Sequence, residues 1–156
     1  ERGWRLFGLA FVAALVFRLV SLRFLLNMPH MAGAIAGWLA SDPVLSERVN
    51  AIAEEAPAAA SPPAIAIAAS ASTDWSTKTA TGREVRLALG LVGRGDDPAE
   101  TAALAGRIEQ RIATLAPQQA GFRVVVTRFL RSRVERRRRN GRAVLLEFAF
   151  KLIATE

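Results

Sequence analysis

The stretch REVRLALGLVGRGDDPAETAALAGRIEQRIATLAPQQAG, residues 83–121, decides the fold class. Between Arg83 and Val92 every second residue is apolar, which predicts a strand with one buried face and one wet or closely packed face. The apolar positions are Val85, Leu87, Leu89 and Leu91. Gly93 and Gly95 follow, and glycines at this point predict the end of the strand.

A capped helix is predicted directly after these glycines. Asp97 is suited to the N-cap, Pro98 to the first helical position and Glu100 to the acidic position of a capping box. One stripe of this helix is apolar, namely Leu104, Ile108, Ile112 and Leu115. The helix is predicted to end at Pro117, with Gly121 just beyond. A half-apolar strand followed by an amphipathic helix predicts a two-layer α+β domain.

The remaining segments predict the order α-β-β-α-β-β, an antiparallel sheet with helices packed mainly on one face. Ala32–Ala40 has helical spacing, Val44–Ile52 is a short mixed segment, extended around Val49–Ile52, and Glu54–Pro63 is an irregular connection. The other predicted segments are a strand over Ile65–Ala69, a polar loop over Ser70–Gly82, a strand over Phe122–Thr127 and a return strand over Val144–Leu152. The last two strands are joined by a charged hairpin whose Asn140-Gly141 pair is preferred in two-residue turns.

Apolar residues are also expected on the second face of this sheet. They are Leu145, Ile153, Val125 and Phe129. Helices on one side only would leave these four side chains in water. We expect them to be covered either by the first helix, which carries Trp38, or by a neighbouring subunit.

Composition and charge narrow the classes of function. The chain has 156 residues and 51% hydrophobic content, enough for one domain with a core. It has no cysteine, which excludes disulfides and thiolate metal sites, and its single histidine is His30. Arg131–Arg142 carries seven arginines against Glu135, residues 1–27 carry four arginines against Glu1, and the rest of the chain sums to −2 within a net charge of +7. The domain body is therefore not basic, which disfavours a nucleic-acid-binding face spread over the fold.

Residues 1–30 are interpreted as an apolar N-terminal extension and residues 31–156 as the folded domain. The first residue is Glu, and the longest uncharged run in the extension is Leu6–Phe17. This run is shorter than the about 20 apolar residues that a membrane-spanning helix needs. We expect an upstream translated extension, a native start at Met28 or Met31, and no membrane anchor at residues 4–26. A signal anchor or membrane helix, and with it a membrane-tethered protein, is the alternative for that stretch.

The sequence contains no constellation of catalytic, cofactor-binding or metal-ligating residues. A Walker lysine motif, a G-x-S-x-G elbow and an H-E-x-x-H motif are all missing. Asp96 and Asp97 fit helix caps better than catalytic acids, and Asp74 and Ser76 have no histidine to complete a triad. The sequence therefore predicts a non-enzymatic protein with no cofactor and no small-molecule substrate.

The order of the short motifs resembles that of the tail completion proteins, or tail terminators, of long-tailed phages, prophages and gene transfer agents. The matching positions are Arg48-Val49, Pro63-Ala64-Ile65-Ala66-Ile67, Asp74-Trp75-Ser76-Thr77 with Gly82, Gly95-Asp96-Asp97-Pro98-Ala99-Glu100, and Asn140-Gly141-Arg142. The resemblance covers about Met31–Glu156. It departs at Ala64, where the family usually has an aromatic residue after the proline.

This resemblance implies a ring-forming, generally hexameric structural protein that caps the tail tube. Its implied partners are other copies of itself, the tail tube protein and the head-side connector or stopper protein. Such a protein would assemble in the cytoplasm and then form part of a phage-like particle at the head–tail junction. The loop residues Asp74, Trp75, Ser76 and Thr77 are candidate contacts, and Trp75 is either packed over the end of the sheet or an exposed contact residue.

The arginine-rich hairpin allows three interpretations. Its arginines are Arg131, Arg133, Arg136, Arg137, Arg138, Arg139 and Arg142. They could grip phosphates in a dedicated nucleic-acid-binding module, which is the alternative to the tail-terminator function. They could instead keep an exposed hairpin tip solvated, or contact a neighbouring subunit or the DNA that passes through a ring. Salt dependence of DNA binding separates the first interpretation from the others.

Overall fold

The computed structural model describes residues 28–55, 60–94, 98–136 and 141–155. Some sequence predictions fall outside these ranges. They concern the apolar extension up to residue 27, the cap at Asp97, the turn residue Asn140 and the arginines Arg137–Arg139.

The described residues form three helices and six strands. The helices are α1 (Met28–Ala40), α2 (Pro43–Arg48) and α3 (Pro98–Ala113). The strands are β1 (Ala51–Ala53), β2 (Ala64–Asp74), β3 (Gly82–Gly93), β4 (Gln118–Gln119), β5 (Phe122–Arg136) and β6 (Arg142–Ala154). All six strands belong to one sheet, in the order β1-β2-β3-β6-β5-β4.

The α+β class is confirmed, but the predicted antiparallel sheet and the predicted order of elements are only partly right. β1 pairs with β2 in parallel, while every other pair is antiparallel. A parallel neighbour requires the chain to return between Ala53 and Ala64 before β2 begins. Three short elements, α2, β1 and β4, add to the predicted order.

Helix α2 is an additional helix that begins at a proline. Pro43 occupies its first turn, where the residue lacks only an N–H that would have no partner. Asp42 caps this helix, because its Oδ1 accepts hydrogen bonds from the backbone N of Val44 at 3.1 Å and of Leu45 at 3.0 Å. Two helices therefore stand where the sequence predicted one.

The core lies between the helices and the middle of the sheet, as the alternation of β3 and β6 predicts. Leu87 stands opposite Phe148, and Leu89 stands opposite Leu146. The predicted apolar residues of β3 and of the α3 stripe are all buried. From α1, Met31, Ile35 and Leu39 complete this core.

Helix α3 ends at Ala113, before the predicted end at Pro117. Thr114 N donates to Arg111 O at 3.2 Å and Leu115 N donates to Ile112 O at 3.0 Å. These bonds span three residues instead of four, so the last turn tightens before the proline is reached. The chain then turns at Gly121, whose φ of 82° lies in the left-handed region that glycine tolerates.

Strand β2 continues into the stretch that was predicted as a loop. Ser70–Asp74 pairs with Arg83–Leu87 of β3, and only the residues between Asp74 and Gly82 form the connection. Alanine, serine and aspartate have low strand propensity, so local sequence disfavours this extension. Backbone pairing with the long β3 overrides that preference.

Within the described ranges, no helix is both long and apolar enough to span a membrane.

Candidate assembly surface

The sheet has two faces of opposite character. The core face carries the apolar residues that pack against the helices. The other face, here called the open face, carries on β3 and β6 the residues Glu84, Arg86, Ala88, Gly90, Leu145, Glu147, Ala149, Lys151 and Ile153. None of these residues belongs to the core cluster of the described chain. Leu145 and Ile153 lie on this face as predicted, and both are half-buried.

Strand β5 presents a different set of residues to the open face than its sequence alternation predicts. Its register with β6 shifts between Val124 and Val126, and again between Phe129 and Arg131. Each shift inserts one residue as a bulge, which exchanges the faces of all residues that follow. The predicted place of Phe129 on the second face is therefore wrong.

Phe129 instead lies opposite Phe148 on the core face, and the two ring centroids are 5.5 Å apart in an edge-on arrangement. It is nevertheless 36% exposed. Val125, the other predicted residue, is the extra residue of the first bulge and is 45% exposed. Only two of the four predicted apolar residues thus occupy regular positions on the open face.

The two bulges bring four arginines onto the open face. Arg123, Arg128, Arg131 and Arg133 stand opposite Ile153, Ala149, Glu147 and Leu145. Their sequence spacings of five, three and two would scatter them over both faces of a regular strand. Each odd spacing contains one bulge, so all four align in what we call the arginine row. Sequence reasoning missed Arg123 and Arg128, and odd spacings between like-charged residues are the signal that could have revealed them.

The arginine row is only partly neutralised within the chain. Arg131 Nη2 lies 3.0 Å from Glu147 Oε1, and Arg133 Nη2 lies 2.9 Å from Glu135 Oε1. Both arginine side chains stay well exposed, at 67% and 59%. Arg123 and Arg128 have no ion-pair partner among the described residues. Exposed pairs of this kind are worth at most about 1 kcal/mol, so these guanidinium groups remain free to bind another surface.

The other arginines of the predicted hairpin are placed differently. Arg136 and Arg142 face each other at the last pair of the β5–β6 ladder, and Arg142 is half-buried. Arg137, Arg138 and Arg139 lie outside the described residues. The predicted cluster is therefore divided between the open face and the end of the hairpin.

A shallow trough of about 300 Å³ lies on the open face beside the arginine row. Its apolar lining includes Ala69, Ala71, Ala88, Leu130 and Leu145, with Arg86 and Glu147 at its polar side. The small alanines leave room that larger side chains would fill. A wide, mostly apolar depression with charged margins suits the side chains of a protein partner.

The connection after β2 is held by its own hydroxyl groups. Ser76 Oγ donates to Asp74 Oδ1 at 2.8 Å and accepts from Gly82 N at 3.0 Å, while Thr77 Oγ1 accepts from Ala80 N at 3.1 Å. Trp75 is half-buried at the end of the sheet, with the Lys151 Nζ 4.9 Å from its ring centroid. All four predicted contact residues thus make contacts in or beside this connection, and Asp74, Ser76 and Thr77 are exposed.

Trp38 does not cover the open face. Its Nε1 donates to Arg111 O at 2.8 Å, and the Arg111 guanidinium carbon lies 3.8 Å from the ring centroid. The indole therefore lies between α1 and α3, on the helical side of the molecule. The open face is left without a cover from the described part of the chain.

An ion-paired cluster joins the three helices over the core face. Arg107 of α3 donates from Nε to Asp42 Oδ1 at 3.1 Å and from Nη2 to Oδ2 at 2.6 Å. Arg111 Nη2 donates to Ser41 Oγ at 2.8 Å. The hydrogen bond from Arg107 is the main cause that lowers the pKa of Asp42, although burial acts in the opposite direction. The same bond raises the pKa of Arg107, so both groups stay charged and hold α3 against the α1–α2 junction.

The described residues contain no group of histidine, aspartate and glutamate side chains that could hold a metal ion. The Asp42 carboxylate is fully engaged with the helix cap and with Arg107. The arrangement of the described residues therefore supports binding between surfaces and supplies no acid–base pair for chemistry.

Comparison with solved structures identifies the class of fold. A chain of the structure titled "Virion of native gene transfer agent (GTA) particle" is similar, with a TM-score of 0.66 and 20% sequence identity. The alignment covers 78% of this chain and 93% of that chain. At this identity the match shows a common fold. No curated protein sequence matches the chain.

The sequence matches the family described as Tail completion protein gp17 over residues 33–152. The chain therefore belongs to this family, and the predicted resemblance is confirmed. It is a structural protein of a phage-like tail and not an enzyme.

Proposed function

We propose that the protein is a ring-forming tail terminator, which caps the tail tube and joins it to the head-side connector. The observation that carries this proposal is the open face, where an apolar trough and four aligned arginines have no cover among the described residues. One face of the sheet is covered by the protein's own helices and the other is not. This arrangement suits a tail completion protein for binding other proteins in an assembly.

A closed ring follows from repeating one contact between unlike surfaces of identical subunits around an axis. We expect the domain to be monomeric or weakly associated in isolation and cyclic, with six-fold symmetry, when docked on the tail tube. Its partners are then further copies of itself, the tail tube protein and the connector or stopper protein. Assembly takes place in the cytoplasm, and the finished ring stays at the head–tail junction of the particle.

A structure of the assembled particle, determined by electron cryomicroscopy, tests this proposal. The expected result is a ring of this protein between the last tube ring and the connector. A single off-axis copy, or absence of the protein from the head–tail junction, contradicts it. Sedimentation of the isolated protein at increasing concentration gives the second readout. A stable ring of the isolated protein would contradict the expectation that it forms a ring only when docked on the tail tube.

A nucleic-acid-binding module is the competing function, and the arginine row is the observation in its favour. Two features weigh against a phosphate-binding groove. Glu147 and Glu135 stand beside Arg131 and Arg133 and pair with them. Binding of the isolated protein to duplex DNA, measured by fluorescence anisotropy from low to high salt, decides between the two. Tight binding whose logarithm falls steeply with the logarithm of salt concentration would favour the nucleic-acid function.

A further inference from the structure

We propose that the arginine row of one copy binds the acidic corner Glu54–Glu55 of the next copy in the ring, an inference that rests on the proposed ring function. The binding partner is thus a second copy of this chain, joined head to tail.

The sheet ends in two edges that are mostly open. On the β5 side, β4 pairs only with Phe122 and Arg123, so no described strand borders the outer side of β5 from Val124 onward. On the β2 side, β1 pairs only with Ala64–Ala66. Long open edges invite pairing with another chain, and proteins commonly protect them with bulges and charged side chains. The β5 edge has both forms of protection, which leaves side-chain contacts as its means of binding a neighbour.

The two edges carry opposite charge. Arg128, Arg131 and Arg133 lie along β5, and all three are exposed. At the other edge, Glu54 and Glu55 directly follow β1, and both are exposed. Neither glutamate has an ion-pair partner among the described residues. A positive edge and a negative edge on opposite sides of one subunit are the arrangement that a head-to-tail contact needs.

The charges also stand at matching heights along the strands. Ala53, Ala66, Gly90, Leu145 and Arg133 face one another in a single row across the sheet. This row connects the last residue of β1 with the arginine row through registered pairs alone.

The next row leads from β2 to Arg131. Ala69 faces Ala88, Ala88 faces Glu147, and Glu147 faces Arg131. Glu54 and Glu55 directly follow Ala53, where the chain bends, so they lie at the β1 end of the row that leads to Arg133. A head-to-tail repeat of the subunit brings this edge of one copy next to the β5 edge of the following copy.

A second pair of charges supports the same alignment near the other end of the sheet. Asp74 ends β2 in a row with Arg83, Leu152 and Val124. Arg123, the remaining member of the arginine row, is the residue next to Val124. Two acidic points on one edge thus match two basic points on the opposite edge, which sets the vertical position of the neighbour.

Two other occupants of the arginine row fit less well. Residues 1–27 are apolar but carry four arginines against one glutamate, so like charges oppose their docking there. Nucleic acid would meet Glu135 and Glu147 within the row. A partner that brings separate carboxylates fits the alternating charges best, and the chain itself supplies such a partner.

Disulfide trapping in assembled particles tests the contact directly. The chain has no cysteine, so the double variant Glu55→Cys/Arg131→Cys contains only the two introduced thiols. Within one chain these positions are separated by four strand spacings, on the order of 19 Å, far beyond the about 7 Å that a disulfide tolerates between Cα atoms. Any disulfide must therefore join two copies, and mild oxidation is expected to give a ladder of multimers that ends at the ring.

The matched control is Lys78→Cys/Arg131→Cys. Lys78 is also exposed but lies in the connection between β2 and β3, at a different height from Arg131. This variant is expected to stay monomeric on a non-reducing gel under the same oxidation. An equal ladder from both variants would mean random collision and would overturn the assigned contact.

Charge exchange provides the second test, and occupancy of the head–tail junction by electron microscopy is its readout. Arg131→Glu/Arg133→Glu and Glu54→Arg/Glu55→Arg are each expected to lower occupancy by about tenfold or more, because like charges would meet at every interface. The variant with all four substitutions is expected to regain occupancy. The pairs of Arg131 and Arg133 with Glu147 and Glu135 stay broken in this variant, so recovery could come only from the contact between copies.

The outcomes separate this inference from the proposed function. If wild-type protein occupies the junction as a ring but neither the disulfide ladder nor the charge exchange behaves as expected, the contact is wrong and the ring function stands. If wild-type protein is absent from the junction, the proposed function fails. If Arg131→Glu/Arg133→Glu removes salt-dependent DNA binding and leaves ring occupancy unchanged, the arginine row serves nucleic acid and the inference is overturned.

Discussion

Leu145 and Leu146 are neighbours on β6, yet they belong to two different surfaces. Leu146 lies on the core face and is 1% exposed, whereas Leu145 is half-buried on the open face beside the trough. The core face is complete within one chain, because helices cover it and the ion pair between Arg107 and the buried carboxylate of Asp42 holds them in place. The open face has apolar surface and charges without such a cover. The residues that stabilise the fold and the residues left free for contacts with other molecules therefore lie on opposite sides of one sheet.

The largest expected effect comes from replacing each of the two leucines separately by alanine. Leu146→Ala is expected to lower the free energy of unfolding by about 2–5 kcal/mol, because it opens a cavity in the core. Leu145→Ala is expected to lower it by about 1 kcal/mol or less and to reduce occupancy of the head–tail junction. Chemical denaturation measures the first quantity and electron microscopy of particles the second. Equal losses of stability would contradict the division between the faces.

The cluster around Asp42 gives the next largest expected effect. Asp42→Ala removes both the cap of α2 and the partner of Arg107, and we expect a loss of about 2–4 kcal/mol in the free energy of unfolding. Asp42→Asn keeps an oxygen for the cap and should lose less. A loss below about 0.5 kcal/mol for Asp42→Ala would mean that the ion pair does not hold the helices over the core face.

The same cluster predicts a dependence of stability on pH. The pKa of Asp42 is lowered in the folded state, mainly by the hydrogen bond from Arg107. The folded state therefore binds this proton less readily than the unfolded chain, and the contribution is fully present above the ordinary aspartate pKa of about 4. It is lost as the pH falls further, through the lower pKa of the folded protein. Thermal unfolding between neutral and acidic pH should show a smaller acid-induced decrease in Tm for Asp42→Asn than for the wild type.

Two glycines test how closely the helical layer sits on the core face. Gly93 ends β3 directly against Thr101 of α3, where a Cβ would collide with the threonine side chain. Gly93→Ala is expected to cost about 1–3 kcal/mol, because the strand end and the helix must separate. Gly106→Ala is the matched control, since a Cβ at Gly106 would meet no neighbouring side chain within 4 Å. It is expected to raise the free energy of unfolding by about 0.5–1 kcal/mol through the higher helix propensity of alanine. Similar changes for both variants in chemical denaturation would argue against close packing at Gly93.

The smallest change in stability is expected on the open face. Arg131→Ser/Arg133→Ser should change the free energy of unfolding by less than about 0.5 kcal/mol, because both side chains are well exposed and their ion pairs are weak. Particle assembly should nevertheless be impaired. Arg94→Ser serves as the control, since Arg94 is exposed, directly follows β3 and donates from Nε to the backbone O of Pro62. Normal assembly of particles with the double variant would mean that the arginine row is not part of the interface.

Several features followed from the sequence because their causes are local. The alternation of β3, the stripe of α3 and the return strand β6 each repeat with the period of one element, so the burial of Leu87, Ile108 and Phe148 could be predicted. The absence of cysteine and the uneven distribution of charge were likewise visible directly in the sequence. The order of weak motifs identified the family, because it is a property of the whole sequence and does not depend on folding.

The tertiary structure alone decided the features that depend on pairing between distant segments. Two bulges in β5 moved Phe129 to the core face and aligned Arg123 and Arg128 with Arg131. The parallel β1 placed Glu54 and Glu55 at the edge of the sheet opposite β5, although the sequence predicted only an irregular connection there. The physical reason is that side-chain periodicity is set by the backbone of one strand, whereas register is set by hydrogen bonds to a neighbour far away in the chain.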